Sequence, residues 1–269
     1  MIYLDDLQLL EKAARKVGPL IMKYFGTDLV VERKAHAGFS PVTQADKEAD
    51  KFLHDFLLEA RPEYGWLSEE IEDNKERLSK EYVFVVDPID GTKPFIKGEP
   101  EFTVSLAIVQ NGEPVVGVVY NPAKDDMYSG AKGEGVCLNG DKITPQTALK
   151  SLSTQECLIS HSERKKGLWE AFEGLFLMRP VGSIAYKLAM VAAGQSDFMV
   201  TFRPKSEWDC AAGHIMCLEV GLKVTDMLGE DLAYNTEAPD GSVNRMIVAK
   251  SDIYDEIKQM IHKKALPSS

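Results

Sequence analysis

The stretch "VVDPIDGTKPF" carries two carboxylates, Asp87 and Asp90, at the end of an unbroken apolar run from Val83 to Val86. Acids this close repel each other unless donors or a cation sit between them. Two readings compete. Asp-Pro-x-Asp-Gly is ordinary turn chemistry, with proline fixing φ and Asp capping local amides. Yet the ends of buried strands are where α/β proteins place their sites. Further acids stand at similar boundaries: Asp46 in "SPVTQADKEAD", Glu69 and Glu70 in "YGWLSEE", and Asp209 in "SEWDCAAG". Singly, each has a plain structural role. Thr43 and Asp46 fit a T-x-x-D capping box, Asp209 fits the N-cap of a following helix, and Glu69 and Glu70 open a solvated surface segment. Together they make an all-oxygen set suited to Mg²⁺, which prefers carboxylates, a few waters and substrate phosphate oxygens. Two or three such ions can polarise a phosphoryl group and stabilise its leaving oxygen. His36, His54, His161, His214 and His262 are scattered and read as surface or satisfied histidines, leaving no cluster for a softer metal.

Periodicity supplies the elements that must position these acids. Leu10, Ala13, Val17, Leu20, Ile21 and Tyr24 predict a helix over 5–25, with Asp5 and Asp6 as possible caps. A second helix spans about 44–60, with Ala49, Phe52, Leu53, Phe56 and Leu57 on one face. "YVFVVD" (82–87) reads as a strand buried on both sides, and "FTVSLAIV" (102–109) alternates as a sheet strand. Asn111-Gly112 announces a hairpin into a strand over 113–120, and 132–143 resembles a glycine-punctuated strand pair. Beyond 150 the spacing predicts helices over 183–193 and 208–221, the latter stopped by Gly221, with strands at 198–201 and 245–249. The closing "KKALPSS" reads as frayed. Mixed helices and strands imply a layered α/β or α+β protein.

Composition narrows the partners. With 269 residues, 44% of them hydrophobic, the chain can bury a large core. A net charge of −11 spread along the sequence argues against a nucleic-acid polymer as ligand. An anionic substrate would have to be neutralised locally. The acidic N-terminus and the lack of a long apolar stretch predict neither export signal nor membrane span. Four cysteines without a C-x-x-C pair fit reduced thiols, hence a cytoplasmic protein.

The ordered set "PVT-x-x-D", "EE", "DPIDGT" and "WD-x-AAG", over roughly residues 40 to 221, resembles the inositol monophosphatase superfamily of Mg²⁺-dependent, lithium-inhibited phosphatases. The resemblance implies a layered αβαβα sandwich. Its N-terminal α+β half, 1–150, would carry most metal ligands, and its C-terminal α/β half, 151–269, would carry Asp209, the two forming one catalytic unit. It implies that Glu69, Asp87 and the Ile89 carbonyl hold a principal ion, that Asp87, Asp90 and Asp209 hold a second, and that Asp46 holds a third mainly through water. Thr92 with Glu69 would orient the attacking water, and backbone N–H groups around Gly91 and Thr92 would receive phosphate oxygens. Homodimers are usual in such families.

Substrate expectations follow from departures. Inositol-specific members usually place a Glu seven residues before the tryptophan-linked aspartate, where this chain has Phe202. "FRPKSEWD", "LSEE" and Lys187 after "GSIAY" are more similar to the 3′(2′),5′-bisphosphate nucleotidase branch. Arg203, Lys205 and Lys187 could then serve a second phosphate, an apolar residue could face a base, and Glu207 could replace the missing acid. For Lys187 the competing reading is a solvated helix face. The expected activity is phosphomonoester hydrolysis of a small metabolite, adenosine 3′,5′-bisphosphate ahead of inositol 1-phosphate, with histidinol phosphate and fructose 1,6-bisphosphate further behind. The rivals are a non-catalytic binding or regulatory protein that keeps the fold, and a purely structural metal site.

Overall fold

A computed structural model describes residues 3–28, 31–33, 41–144 and 151–265. His36 and the last four residues of the "KKALPSS" tail lie outside them. In chain order the elements are α1 (Leu4–Met22), β1 (Val31–Arg33), β2 (Pro41–Thr43), α2 (Gln44–Ala60), β3 (Gly65–Ser68), β4 (Tyr82–Asp90), α3 (Thr92–Ile96), β5 (Thr103–Gln110), β6 (Glu113–Asn121), β7 (Asp126–Ala131), β8 (Gly135–Leu138) and β9 (Asp141–Lys142). There follow β10 (Glu156–Ile159), α4 (His161–Lys165), β11 (Leu177–Pro180), α5 (Ile184–Ala192), β12 (Phe198–Thr201), α6 (Glu207–Glu219), β13 (Leu222–Thr225), β14 (Met246–Lys250) and α7 (Ser251–Ala265).

Strands β3 to β9 form a seven-stranded sheet in sequence order, antiparallel except for β3 beside β4. A five-stranded sheet runs β11-β10-β12-β14-β13, with β10 parallel to both of its neighbours. Period-2 alternation sorts the side chains into layers. From β4, Phe84 and Val86 face α1 and α2, whereas Val83 and Val85 face α5 and α6. In the smaller sheet, Leu158, Met199 and Val248 join that middle core, while Ile159, Val200 and Ile247 pack against α7 through Ile253, Ile257 and Ile261. The layers are therefore helices, sheet, helices, sheet, helix: the αβαβα sandwich. No helix among the described residues is long and apolar enough to cross a membrane.

Two features aim the site. Strand β4 does not turn at Asp87 but runs on to Asp90. Asp87 pairs with Ser105 and Asp90 with Thr103, so β4 spends three steps where β5 spends two. One extra residue is a bulge, a device that re-aims side chains near active sites. Gly91 then takes φ +99°, and a Cβ there would stand 2.8 Å from the Glu101 carbonyl oxygen, so only glycine fits. On the facing layer α6 descends onto the sheet at Gly117, where a Cβ would lie 2.2 Å from the Ala212 carbonyl oxygen. Ser105 Oγ donates to the Trp208 carbonyl at 3.0 Å, fixing the start of α6 over the start of β5.

Candidate metal centre

Asp87 and Asp90 leave the bulged end of β4, and Asp209 projects from the first turn of α6. One carboxylate oxygen from each lies within 4.8 Å of the others. Asp87 and Asp90 are buried, and Asp209 is half-buried. The protein gives this cluster a few donors. Ile89 N–H donates to Asp87 Oδ1 at 2.9 Å, and Ser206 N–H donates to Asp209 Oδ2 at 3.1 Å. Ser183 Oγ and Ala185 N–H both donate to Asp90 Oδ2 at 2.6 Å. These bonds do not balance three carboxylates. Burial first, then the fields of Glu69, Asp90, Asp209 and Asp46, drive the Asp87 carboxyl well above its usual range. Asp209 is driven up as well, by packed surroundings and then by Asp90 and Glu69, although part of its surface reaches solvent; Lys205 and the Ser206 N–H oppose the rise. The missing ingredient is positive charge between hard oxygens, so the donor set fits a divalent cation such as Mg²⁺.

The sequence-derived residues fall into two groups. Glu69 and Asp46 stand close enough to act electrostatically on Asp87. Glu69 continues the β3–β4 pairing through its N–H to the Val86 carbonyl, at 3.2 Å. Asp46 accepts from the N–H and Oγ1 of Thr43 at 2.7 and 2.6 Å, so the capping role and proximity to the cluster coexist. Thr92 is buried, and its hydroxyl donates to the Ile89 carbonyl at 3.2 Å. A carbonyl oxygen has two lone pairs, so that bond is compatible with Ile89 also facing a metal. Gly91 precedes α3 as its N-cap.

The second group needs correction. Asp209 is not the N-cap of α6; Ser206 is, and Asp209 sits three positions later as its capping-box partner. Lys187 is neither on a solvated face nor available to a phosphate. It is buried, and its ammonium donates to the carbonyls of Val181, Gly182 and Ser183 at 3.0, 3.5 and 2.5 Å. Its three protons are thereby engaged, and burial lowers its pKa to about 8. Phe202, at the position of the missing Glu, packs its ring on Trp169 and Phe172 at 4.7 and 5.6 Å, against the core beneath α7. Glu207 does not replace the missing acid, because it is fully buried and its oxygens accept from Asn235 N–H, Thr236 N–H and Thr236 Oγ1. Arg203 is exposed, and Lys205 is half-buried within electrostatic reach of Asp209.

Two residues escaped the sequence reading. Ser183, with φ +54°, accepts from Tyr186 N–H at 2.9 Å as the N-cap of α5 while donating to Asp90. A serine just before an apolar helix was its signal. Glu163 is buried and its Oε1 accepts from Thr201 Oγ1, Phe202 N–H and Arg203 N–H, holding the start of the β12–α6 connection. Inside "SHSERKKG" nothing distinguishes it from a surface charge.

The sheet end and central helix of this layered sandwich jointly present clustered acids, an all-oxygen site of the kind that holds a hard divalent cation. The family model described as "Inositol monophosphatase family" matches residues 5–265, and the chain belongs to that family. A Thermotoga maritima protein named fructose-1,6-bisphosphatase/inositol-1-monophosphatase is 35% identical over 271 residues, covering 97% of each chain. The 3′(2′),5′-bisphosphate nucleotidase CysQ of Escherichia coli K12 is 34% identical over 224 residues, 82% of this chain and 90% of its own. Among solved structures, an IMPase from Thermotoga maritima superposes with TM-score 0.85 at 32% identity, covering 98% of this chain and 99% of that one. The chain is a phosphoric monoester hydrolase of this family.

Proposed function

We propose that the protein is a Mg²⁺-dependent phosphomonoesterase whose substrate carries a second phosphate. The observation behind the metal is the convergence of Asp87, Asp90 and Asp209 oxygens within 4.8 Å of one another, with the Asp87 and Asp209 carboxyls raised above their usual range by burial first and then by neighbouring acids that include Glu69. When bound there, Mg²⁺ would screen the phosphate charge, stabilise the leaving oxygen and acidify a nearby water. The chain's own residues do the rest. Glu69, Asp87 and the Ile89 carbonyl hold one ion, Asp87, Asp90 and Asp209 a second, and Asp46 a third. Glu69 and Thr92 would orient the attacking water, the Glu69 carboxylate taking its proton, and N–H groups at Gly91 and Thr92 would meet phosphate oxygens. Because Asp209 belongs to the C-terminal half and the other acids to the N-terminal half, the two halves act as one unit, in keeping with their shared middle core.

Exposed Arg203 and half-buried Lys205 beside Asp209 favour a second anionic group, hence adenosine 3′,5′-bisphosphate ahead of inositol 1-phosphate. Inositol 1-phosphate is the second reading, supported by a relative of that named activity from Mesorhizobium japonicum, 34% identical over 253 residues, 88% of this chain and 91% of its own. Lithium inhibition, homodimeric assembly and a cytoplasmic setting complete the proposal; the family resemblance supports the first two, and four free cysteines support the last. A phosphate-release screen of both substrates and fructose 1,6-bisphosphate, with and without Mg²⁺, tests it. Release only with Mg²⁺ is expected, with Arg203→Ala and Lys205→Ala losing more on the bisphosphates. Equal losses on all substrates count against the second-phosphate reading, and release from none of them against the enzyme itself.

A further inference from the structure

We propose that Arg77 is a positioning residue that sets the distance between the segment carrying Glu69 and the helix carrying Asp209. The inference rests on the reading of these acids as metal ligands. Arg77 lies in the 3₁₀ turn Glu76–Ser79, and its side chain is wholly buried. Its guanidinium forks in two directions. Towards its own segment, Nε and Nη2 donate to the two oxygens of Asp73 at 3.1 and 2.7 Å. Across the molecule, Nη1 donates to Asn235 Oδ1 at 2.5 Å and Nη2 to the Thr236 carbonyl at 2.8 Å.

The same two residues are gripped from behind. Glu207 accepts Asn235 N–H at 2.6 Å, Thr236 N–H at 2.9 Å and Thr236 Oγ1 at 2.6 Å. Glu207 opens α6, two residues before Asp209, while Asp73 follows Glu69 by four. A continuous relay, Asp73–Arg77–Asn235/Thr236–Glu207, therefore spans from one set of acids to the other.

The charges in the relay do not neutralise the site. Asp73 and Glu207 together outweigh the one positive charge of Arg77, so its contribution is geometric. That geometry matters because like charges this close repel one another, and the carboxylate oxygens of Asp87, Asp90 and Asp209 lie within 4.8 Å of each other. Repelling carboxylates on separate segments move apart unless something rigid fixes them at ligand spacing. A buried planar guanidinium, bonded on both sides, is such a strut; an ammonium on a flexible stem is not. Outer partners that orient ligands typically govern metal affinity as much as fold stability.

Two variants test the strut. Arg77→Lys keeps the charge but loses the fork. Asn235→Gly removes one acceptor while tolerating the left-handed φ of +55° that Asn235 adopts, so it spares the fold if the buried Arg77 position does not tolerate change. Mg²⁺ binding is measured by calorimetry on purified protein, beside the Tm of the metal-free form. Both variants are expected to weaken Mg²⁺ binding about tenfold, and to shift the Mg²⁺ dependence of phosphate release in parallel. Tyr254→Phe, in the core beneath α7, is the control that lowers Tm and leaves Mg²⁺ affinity alone. Wild-type affinity in Arg77→Lys or in Asn235→Gly overturns the positioning role while the site reading survives. Wild-type protein that binds no Mg²⁺ overturns the site reading, and this proposal with it.

Discussion

Asp90 and Ser183 stand 93 positions apart, yet Ser183 Oγ donates to Asp90 Oδ2 at 2.6 Å. The hydroxyl that caps α5 thus also orients an acid at the end of β4. Replacing it removes these two bonds and a third, to Thr103 Oγ1 at 3.1 Å. Ser183→Ala is expected to cost about 1–2 kcal/mol of stability in urea unfolding, the usual range for a lost cap with a buried acceptor left short of a donor. Phosphate release should fall alongside. Unchanged activity at reduced stability would show that Asp90 needs no such orientation.

Removing a crowded charge should have opposite effects on stability and on activity. Asp90→Asn and Asp209→Asn are expected to abolish Mg²⁺-dependent phosphate release. In metal-free protein at neutral pH they should be no less stable than wild type, because each removes a neighbouring charge that, after burial, raises the Asp87 carboxyl. Thermal melts with and without Mg²⁺ read this directly: wild type should gain stability from the ion by mass action, and the variants should gain little. Full activity in either variant contradicts the ligand assignment.

His214 provides a pH test away from the acids. It is buried, and its Nδ1 is hydrogen-bonded to the Tyr234 hydroxyl at 2.9 Å. Burial lowers its pKa to about 4. The unfolded chain, with an ordinary histidine near 6.5, binds the proton first, so stability is full above that pH and falls as pH drops towards 4. The loss attributable to this group is on the order of 3 kcal/mol. His214→Gln should lose less than wild type across that window; parallel pH profiles would contradict the assignment.

Phe202 separates packing from recognition. Its ring lies on Trp169 and Phe172, beneath the smaller sheet. Phe202→Ala should therefore lower stability by about 2 kcal/mol, less than for a fully buried ring, while leaving KM for adenosine 3′,5′-bisphosphate unchanged. A selective rise in KM would place Phe202 in the binding site.

Strongly periodic segments were legible in the sequence. The second helix and the strand at 198–201 fall where the spacing put them, and β5 and β6 are displaced by a residue at most. At the start of α1, Asp5 and Asp6 occupy the first turn rather than the cap, and Tyr3 takes that position. Short strands such as β3, β10 and β11 carry only four residues each, too few for periodicity to separate from loop. The carboxylates were legible because apolar surroundings made them conspicuous: Asp87 follows four apolar residues, and Asp209 sits between Trp208 and Cys210. The side chains around them were not. Lys187 and Glu207 carry the charges of surface residues, and only tertiary placement turns one into a clamp on three carbonyls and the other into an anchor for residues 235–236. Likewise the bulge in β4 depends on its register against β5, which no local pattern encodes.

Soaking crystals in Mn²⁺ and recording anomalous diffraction tests the central claim most directly. The account predicts a peak within about 2.0–2.3 Å of oxygens from Asp87, Asp90 and Asp209, the spacing of a small divalent ion bound by carboxylates. A map with no peak there, or with Mn²⁺ only at surface acids, would contradict it.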